Sequence, residues 1–292
     1  MMKILVTGAT GVVGKSTVEH LLKKGVPANQ IIGLSRKKEN LKDLAAKGVE
    51  IREGDYFDYN SLLRAFEGVD RIMLTSAIAF TDRFTQHYNV ITAARQMGVK
   101  HVVYMSIMRK EGSGRIIPEV TESDRFTEQV LQSSGLDYTI VYHPPFADLL
   151  SFYYSPNPYE DGIKVPANNG KMAPATRDEL AEAHAEVLST PGHENKTYSL
   201  GGSYSISFSD IAKILSEVGG KPVSFITITA EEYIDGIVSR GVARHVAEFI
   251  TAWVLAIEGG EFENQSGDLE RLLGRKTKSF TDLVETSLVE NK

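Results

Sequence analysis

This chain of 292 residues contains no cysteine. That absence excludes disulfide bonds, thiolate catalysis, iron–sulfur clusters held by cysteine and zinc–thiolate sites. It fits a reducing compartment, and we expect a cytoplasmic location. The histidines at positions 184, 193 and 245 do not have the spacing of metal ligands, so the sequence predicts no metal site.

Other absences narrow the class of protein. The sequence has no apolar run long enough to span a bilayer, and it opens on a strand and a glycine turn instead of a signal peptide, so we expect no membrane association. A net charge of −6 argues against a general affinity for nucleic acid. We expect a small-molecule substrate as the partner. The sequence does not decide whether the protein forms a homodimer. The length allows one large α/β domain or a main domain with a smaller one.

The first half of the chain alternates short apolar runs with longer amphipathic segments. This alternation predicts an α/β fold, a Rossmann-like doubly wound parallel sheet with helices on both faces. The predicted strands are residues 4–6, 31–34, 49–53, 71–75, 102–106 and 138–142. Predicted helices begin at Gly11, Asn40, Tyr59, Phe84 and Thr121.

The alternation ends after Tyr142. The next 37 residues hold six of the ten prolines, so we expect irregular chain around short helices. The string "TYSLGG" at 197–202 predicts one more strand. One interpretation is that this strand joins the main sheet. From Ser207 onward the pattern is mostly helical, with "PVSFITI" as a lone strand. We therefore divide the chain into a dinucleotide-binding domain, 1–150, and a smaller, mostly helical substrate domain, 151–292.

The segment "ATGVVGKS" at 9–16 has two interpretations. It nearly fits a P-loop, G-x-x-x-x-G-K-[ST], with Ala9 in the first glycine place. A P-loop also needs an acidic residue at the end of another strand to hold Mg²⁺, and "IMLTSA", "VVYMSI" and "TIVYHP" offer none. The dinucleotide interpretation uses Gly8, Gly11 and Gly14 between an apolar strand and a helix. We favour it, which makes Lys15 an ordinary residue of the first helical turns.

The end of the second strand indicates which dinucleotide is bound. An NAD site usually carries Asp or Glu there for the ribose 2′-hydroxyl, whereas this chain has Ser35, Arg36, Lys37 and Lys38. A cationic cluster suits a 2′-phosphate, and Arg36 follows Gly14 at close to the usual offset of about 20 residues. The sequence therefore predicts NADPH, and the alternative is a solvated basic loop.

Several strings, in this order and spacing, resemble the NmrA-like atypical short-chain dehydrogenases, and among them the NADPH quinone oxidoreductase type 2 and triphenylmethane reductase group. They are "VTGATGVVGKS", "HYNVITAARQMGVKHVVYMS", "TEQVLQSSGLDYTIV", "GKMAPATRDELAEAHAEVL" and "GHENKTYSLGG". The resemblance covers nearly the whole chain. It implies a Rossmann-like sheet, an NADPH site and a small pocket between two units.

The resemblance also implies which residues bind the cofactor, from the pyrophosphate through the 2′-phosphate and adenine to the nicotinamide. They are Gly8, Thr10, Gly11, Val12 and Val13, then Arg36, then Asp55 and Tyr56, then Thr75, Ser76 and Ala77, and finally Ser106, His143 and Pro144.

The catalytic half departs from the family pattern. Many short-chain dehydrogenases use Tyr-x-x-x-Lys as a proton donor, but Met108 stands where Lys would follow Tyr104. Asp124 occupies a position where relatives often carry Lys or His. No catalytic residue is therefore assigned, and His143 and Tyr104 are the candidates. We expect His87 to be a helix-surface or packing residue.

A quinone-like or other conjugated electrophilic acceptor needs little acid catalysis, because it must mainly be stacked against the nicotinamide. Four aromatic residues predict such a pocket, namely Tyr142, Phe146, Phe152 and Tyr153, with core packing as the alternative. We therefore predict an NADPH-dependent oxidoreductase that transfers hydride to such an acceptor. The alternative is a non-catalytic NADP(H)-binding sensor of the NmrA type.

Overall fold

Short strands and helices alternate through this structure, a computed structural model that describes residues 2–263 and 266–290. In chain order, the strands are β1 Ile4–Val6, β2 Ile31–Ser35, β3 Glu50–Glu53, β4 Arg71–Leu74, β5 His101–Ile107, β6 Asp137–His143, β7 Ile163–Val165, β8 Lys171–Met172, β9 Lys196–Ser199, β10 Ile206–Ser207 and β11 Phe225–Thr227. The helices are α1 Val12–Lys23, α2 Lys42–Ala46, α3 Tyr59–Ala65, α4 Arg83–Gln96, α5 Thr121–Gln132, α6 Pro158–Asp161, α7 Arg177–Ser189, α8 Phe208–Gly219, α9 Ala230–Val238, α10 Arg244–Glu258, α11 Asp268–Leu273 and α12 Phe280–Glu290. Three 3₁₀ segments are Ala28–Gln30, Lys38–Leu41 and Ala147–Tyr153.

The main sheet has seven strands in the order β3-β2-β1-β4-β5-β6-β9. All pairings among β1 to β6 are parallel, which confirms the predicted doubly wound sheet. The strand order reverses between β1 and β4. In such sheets, ligands bind outside the carboxyl ends of the strands at this reversal.

Helices cover both faces of the sheet. On one face, Leu62 of α3, Val90 of α4 and Leu131 of α5 pack in one buried cluster with strand residues such as Leu5 and Ile72. On the other face, α1 packs against α7, and Lys24, directly after α1, forms an ion pair of 2.6 Å with Glu186 of α7. Because both faces are covered, the central strand β1 is apolar and buried at every position instead of alternating, whereas the edge strands β3 and β9 carry charged and polar residues.

The first unit of the chain contains this sheet. It runs to Ile107 and includes Glu119–His143 and Arg177–Tyr198. The strand β9, predicted at 197–202, lies at the edge of the sheet beside β6. The helix α7 begins in the last three residues of the segment predicted to be irregular and continues to Ser189, where no element was predicted. Its helix-forming residues follow directly after a segment with six prolines.

The second unit comprises Met108–Pro118, Pro144–Thr176 and the chain from Ser199 onward. It contains α8 to α12, in the part of the chain predicted to be mostly helical, and two small sheets; the short helix α11 was not predicted. The strand predicted in "PVSFITI" is β11, and it pairs in parallel with β7, which sequence did not predict. None of the described helices is long and apolar enough to cross a membrane.

Candidate functional site

The turn between β1 and α1 is built on two glycines that no other residue could replace without displacement. Gly8 has a φ of +60°, and a Cβ there would lie 3.0 Å from Cβ of Thr75. A Cβ on Gly14 would lie 2.3 Å from the carbonyl oxygen of Gly8, so α1 packs directly on the turn. Gly11 is exposed, and its N–H donates to Gly8 O at 2.9 Å. The turn therefore presents the start of α1 as an open backbone surface, which suits a phosphate.

Lys15 lies away from that turn. Its ammonium forms an ion pair with Asp43 at the surface, and this hydrogen bond raises the pKa of Lys15. A P-loop would direct this lysine at phosphate. The geometry therefore agrees with the dinucleotide interpretation of "ATGVVGKS".

A cavity of about 250 Å³ opens at the carboxyl ends of β1 to β4. Its lining residues are Gly8, Thr10, Leu34, Ser35, Arg36, Gly54, Asp55, Tyr56, Phe57, Thr75, Ser76, Ala77, Ile78, Thr81 and Gln86. Eight of the predicted cofactor residues lie among them, namely Gly8, Thr10, Arg36, Asp55, Tyr56, Thr75, Ser76 and Ala77. Gly11, Val12 and Val13 lie just beyond, at the start of α1.

Tyr56 fixes the base of this cavity at the point where the strand order reverses. Its hydroxyl lies 2.5 Å from Oγ1 of Thr7 and 2.9 Å from the carbonyl oxygen of Thr75. The two threonines are joined as well, because Thr75 N–H donates to Thr7 Oγ1 at 2.9 Å. Desolvation raises the pKa of Tyr56, so its hydroxyl stays a proton donor to these partners.

Arg36 is the exposed cation at the rim of the cavity. It follows β2 directly, and it makes no ion pair with any residue that the structure describes. The turn beneath it is held by Ser35, whose hydroxyl lies 3.0 Å from Lys37 O. A guanidinium that is exposed and unpaired in this place can bind a phosphate in a bidentate manner.

His87 has a structural role that sequence reasoning missed. Its Nε2 accepts the N–H of Ala77 at 2.9 Å, and its Nδ1 lies 2.9 Å from Oγ1 of Thr127. The ring is fully buried, and desolvation, helped by the charge of Arg83, lowers the pKa of His87 to about 3. His87 therefore stays neutral and anchors a segment of the cavity wall. A lone histidine on a helix gives no sequence signal for such a contact.

The catalytic candidate Tyr104 is fully buried beneath this wall. Its hydroxyl donates to Asp124 Oδ1 at 2.6 Å, and Arg83 forms a buried ion pair with the same carboxylate. Burial and the Asp124 charge raise the pKa of Tyr104 well above its usual value. As the side chain lies, its proton faces Asp124 and not the cavity, and its catalytic role stays a prediction. Neither the sequence motif nor the spacing had indicated that Arg83 balances Asp124.

The other predicted nicotinamide residues do not line this cavity. The Ser106 hydroxyl donates to Glu128 at 2.5 Å. His143 is buried with its Nε2 2.7 Å from Nε2 of His184, and burial lowers the pKa of His143 well below its usual value. Pro144 begins a segment of the second unit. Their roles stay predictions.

The four predicted acceptor residues belong to different units. Tyr142 lies on β6 of the first unit, and its hydroxyl is 3.5 Å from Glu128 Oε2. In the second unit, Phe146 bridges to Ala175 through the backbone, and the ring of Tyr153 meets that of Phe208 at 6.2 Å. Phe152 is 69% exposed. The assignment of these residues to an acceptor pocket stays a prediction.

Comparison with known proteins adds three findings. The sequence profile of the NmrA-like family matches residues 1–285. The chain is 33% identical over 285 residues to quinone oxidoreductase 2 of Escherichia coli (strain K12), covering 96% of this chain and 97% of that protein. The crystal structure of the Citrobacter sp. triphenylmethane reductase complexed with NADP(H) superimposes with a TM-score of 0.90 at 37% identity, covering 97% of this chain and 99% of that one.

A second solved structure is equally similar. It is the NADPH-dependent quinone oxidoreductase of Escherichia coli complexed with NADPH, with a TM-score of 0.91 at 31% identity. The match covers 98% of this chain and 99% of that chain. The similarity therefore extends over both units and is not limited to the glycine turn.

Proposed function

The chain belongs to the NmrA-like family, and from that premise we propose that it is an NADPH-dependent oxidoreductase that transfers hydride to a quinone-like or other conjugated electrophilic acceptor. One observation carries the proposal. The cavity at the carboxyl ends of β1 to β4 combines the Gly8 turn with an exposed, unpaired Arg36, in a chain similar over its whole length to quinone and dye reductases.

The residues of this cavity fit NADPH in their chemistry. In our proposal, the turn of Gly8, Thr10 and Gly11 with the start of α1 at Val12 and Val13 binds the pyrophosphate through backbone N–H groups. Arg36 binds the 2′-phosphate, which distinguishes NADPH from NADH. A Cβ at Gly14 would overlap the carbonyl oxygen of Gly8, so glycine at this position keeps the turn in the shape that we propose for pyrophosphate binding.

The middle of the cavity fits the remaining part of the cofactor. Asp55 and Tyr56 take the adenine side, and Thr75, Ser76 and Ala77 line the path beyond it. Ser106, His143 and Pro144 take the nicotinamide side in this proposal. When bound, NADPH supplies the hydride.

The chain contributes orientation more than acid catalysis. The Tyr104 hydroxyl is buried and bonded to Asp124, and His143 is buried against His184. A conjugated acceptor that becomes a stable reduced product takes its proton from water, so it needs no positioned side-chain acid. An ordinary ketone would need one. This difference favours quinone-like acceptors, with Tyr142, Phe146, Phe152 and Tyr153 proposed to contact them.

The test is direct. Purified protein is mixed with NADPH and a series of benzoquinones or triphenylmethane dyes, and oxidation is followed at the absorbance band of the reduced nicotinamide. We expect turnover with NADPH and much slower turnover with NADH. Cofactor that binds tightly without turnover of any acceptor would instead favour the NADP(H)-binding sensor.

A cytoplasmic location is a further prediction of ours, and the oligomeric state, monomer or homodimer, is open to experiment. Fractionation of cells that express the protein addresses the location. Light scattering of the purified protein, with and without NADPH, addresses the oligomeric state.

A further inference from the structure

The wall segment 75–77 of the cofactor cavity is anchored one residue at a time, each to a different element. The N–H and hydroxyl of Thr75 bond to Thr7 after β1, both at 2.9 Å. The Ser76 hydroxyl donates to the carbonyl oxygen of Met105 in β5. The N–H of Ala77 donates to His87 of α4. The bond to His87 is thus the third anchor of the segment that follows β4.

Beyond that anchor the chain turns locally, and the Thr81 hydroxyl donates to the carbonyl oxygen of Ile78 at 2.7 Å. The next side chain, Ile78, is 78% exposed, and Phe80 has a φ of +67°, a left-handed conformation that is unfavourable for a bulky residue. Without the bond to Ala77, the segment could relieve this strain by moving. The position of Ala77 in the cavity wall therefore depends on His87.

The protonation of His87 is set by its partners. Because Ala77 N–H is a donor, Nε2 of His87 must be the unprotonated nitrogen, and Nδ1 carries the proton and donates to Oγ1 of Thr127. The Thr127 hydroxyl in turn donates to Ser123 O at 2.6 Å. The rings of Tyr56 and Tyr104 approach His87 edge-on, at 6.5 and 5.5 Å. The ring is thereby fixed in one tautomer and one orientation.

We propose that His87 is the positioning residue of the cofactor cavity. Its Nε2 holds Ala77 so that the segment 75–77 keeps the shape that NADPH requires, without touching the reacting atoms. The proposal rests on the proposed function for its ligand, but the anchoring itself concerns this chain alone. A second buried histidine provides the matched control: His101 at the amino end of β5, whose Nε2 lies 2.8 Å from Oγ1 of Thr139.

The experiment compares His87→Phe, His87→Gln and His101→Phe. Phe keeps a buried ring and removes both hydrogen bonds, whereas Gln can accept from Ala77 and donate to Thr127. We expect His87→Phe to raise the Kd and KM for NADPH about tenfold, as the loss of one buried hydrogen bond does, and to change kcat less. Gln should restore the Kd to within about threefold of the original protein, and His101→Phe should leave it unchanged.

Amide hydrogen exchange in the absence of NADPH separates this proposal from the proposed function. Exchange at Ala77 should be about tenfold faster in His87→Phe and unchanged in His101→Phe. Unchanged exchange at Ala77 would overturn the anchoring even if the protein is a reductase. Accelerated exchange in a protein that does not bind NADPH would support the anchoring and refute the proposed function.

The pH profile of kcat tests whether His87 has an acid–base role. Because the group stays neutral, its replacement should leave the shape of the kcat profile unchanged, and a shifted profile would overturn a purely positioning role. Should His87→Phe fail to fold, Thr127→Val replaces it. That variant should accelerate Ala77 exchange and raise the Kd by about threefold, and unchanged values for both would overturn the proposal.

Discussion

The two edges of the main sheet carry cavities that differ in whether their charged side chains are paired with one another. The cavity at the amino edge is the larger, about 430 Å³ against about 250 Å³. Its charges are bonded to one another, with Lys100 2.8 Å from Asp70 and Arg71 3.4 Å from Glu194. At the carboxyl edge, Arg36 is exposed and has no such partner among the described residues.

Since we propose that the cofactor binds at the carboxyl edge, we expect the pairing of charged groups to indicate a binding region better than cavity volume does. The guanidinium of Arg71 also donates to the carbonyl oxygens of Leu188 and Thr190, at 2.8 and 2.9 Å. It therefore holds the chain together and has little left to offer a ligand. The carboxyl edge instead presents the start of α1, whose first backbone N–H groups suit a phosphate, and an exposed cation without an ion-pair partner among the described residues.

The largest effect should come from Gly14→Ala at the carboxyl edge. The added Cβ would overlap the carbonyl oxygen of Gly8, so the turn must move, and we expect NADPH affinity to fall about a hundredfold. Titration of the variant with NADPH measures this. The control is Gly98→Ala before β5, where φ is +73° and a Cβ meets nothing within 4 Å. That variant should be less stable by about 1 kcal/mol, with an unchanged Kd. Equal loss of binding in both would remove the distinction between the edges.

Replacing Arg36 and Arg71 by alanine, one at a time, tests the same distinction between the two edges through charge. Arg36→Ala should weaken NADPH binding about thirtyfold and leave NADH binding almost unchanged, because a charge-assisted bond to the 2′-phosphate is lost. Arg71→Ala should do the reverse. It should lower the free energy of unfolding by about 2 kcal/mol, since two carbonyl oxygens lose their donor, and keep the Kd for NADPH. A weaker Kd in Arg71→Ala would show that the edges are coupled.

Much of this contrast could be predicted from the sequence, because the carboxyl edge is specified by local patterns. Apolar runs gave β1 to β6 to within one residue at each end, since buried parallel strands need continuous hydrophobic sequence. The glycine spacing and the basic residues after β2 indicated the turn and Arg36 in the same way. Each of these features lies within one short stretch of chain.

What the sequence did not reveal depends on residues far apart in the chain. Arg83 and Asp124 are 41 positions apart, as are His143 and His184, and no spacing rule links them. The bond from Ala77 to His87 spans only ten positions, but it depends on the tautomer and burial that the packed sheet imposes. Such pairs become visible only when the fold brings them together.

A pH titration of stability compares the edges through their histidines. Burial lowers the pKa of His87 to about 3 and of His101 to about 4, both below the ordinary value of 6.5. Between the folded-state pKa and 6.5, each of these histidines is protonated in the unfolded chain and neutral in the folded protein. The stability that the two neutral histidines contribute is therefore complete above about pH 6.5 and is lost as the pH falls toward 4. The slope should reach about 1.4 kcal/mol per pH unit for each histidine.

Denaturant unfolding at several pH values measures this slope. His101→Phe should lower the slope of the unfolding free energy against pH by the contribution of one histidine, while NADPH binding stays intact. His87→Phe should lower the slope by the same amount and weaken NADPH binding as well. An unchanged slope in either variant would mean that the histidine is not held neutral.

The smallest effect, and the sharpest test of the glycine turn, is expected from Lys15→Ala. Lys15 belongs to "GKS", the part of the sequence that most resembles a P-loop, yet its ammonium is paired with Asp43 at the surface. An exposed ion pair contributes little, so NADPH affinity should stay within about twofold of the original value. The control is Asp43→Ala, which frees the same lysine without removing it. If Lys15→Ala abolished binding while Asp43→Ala did not, the lysine would reach the phosphates in solution. The carboxyl edge would then bind its ligand through a side chain, whereas we assign that binding to backbone N–H groups.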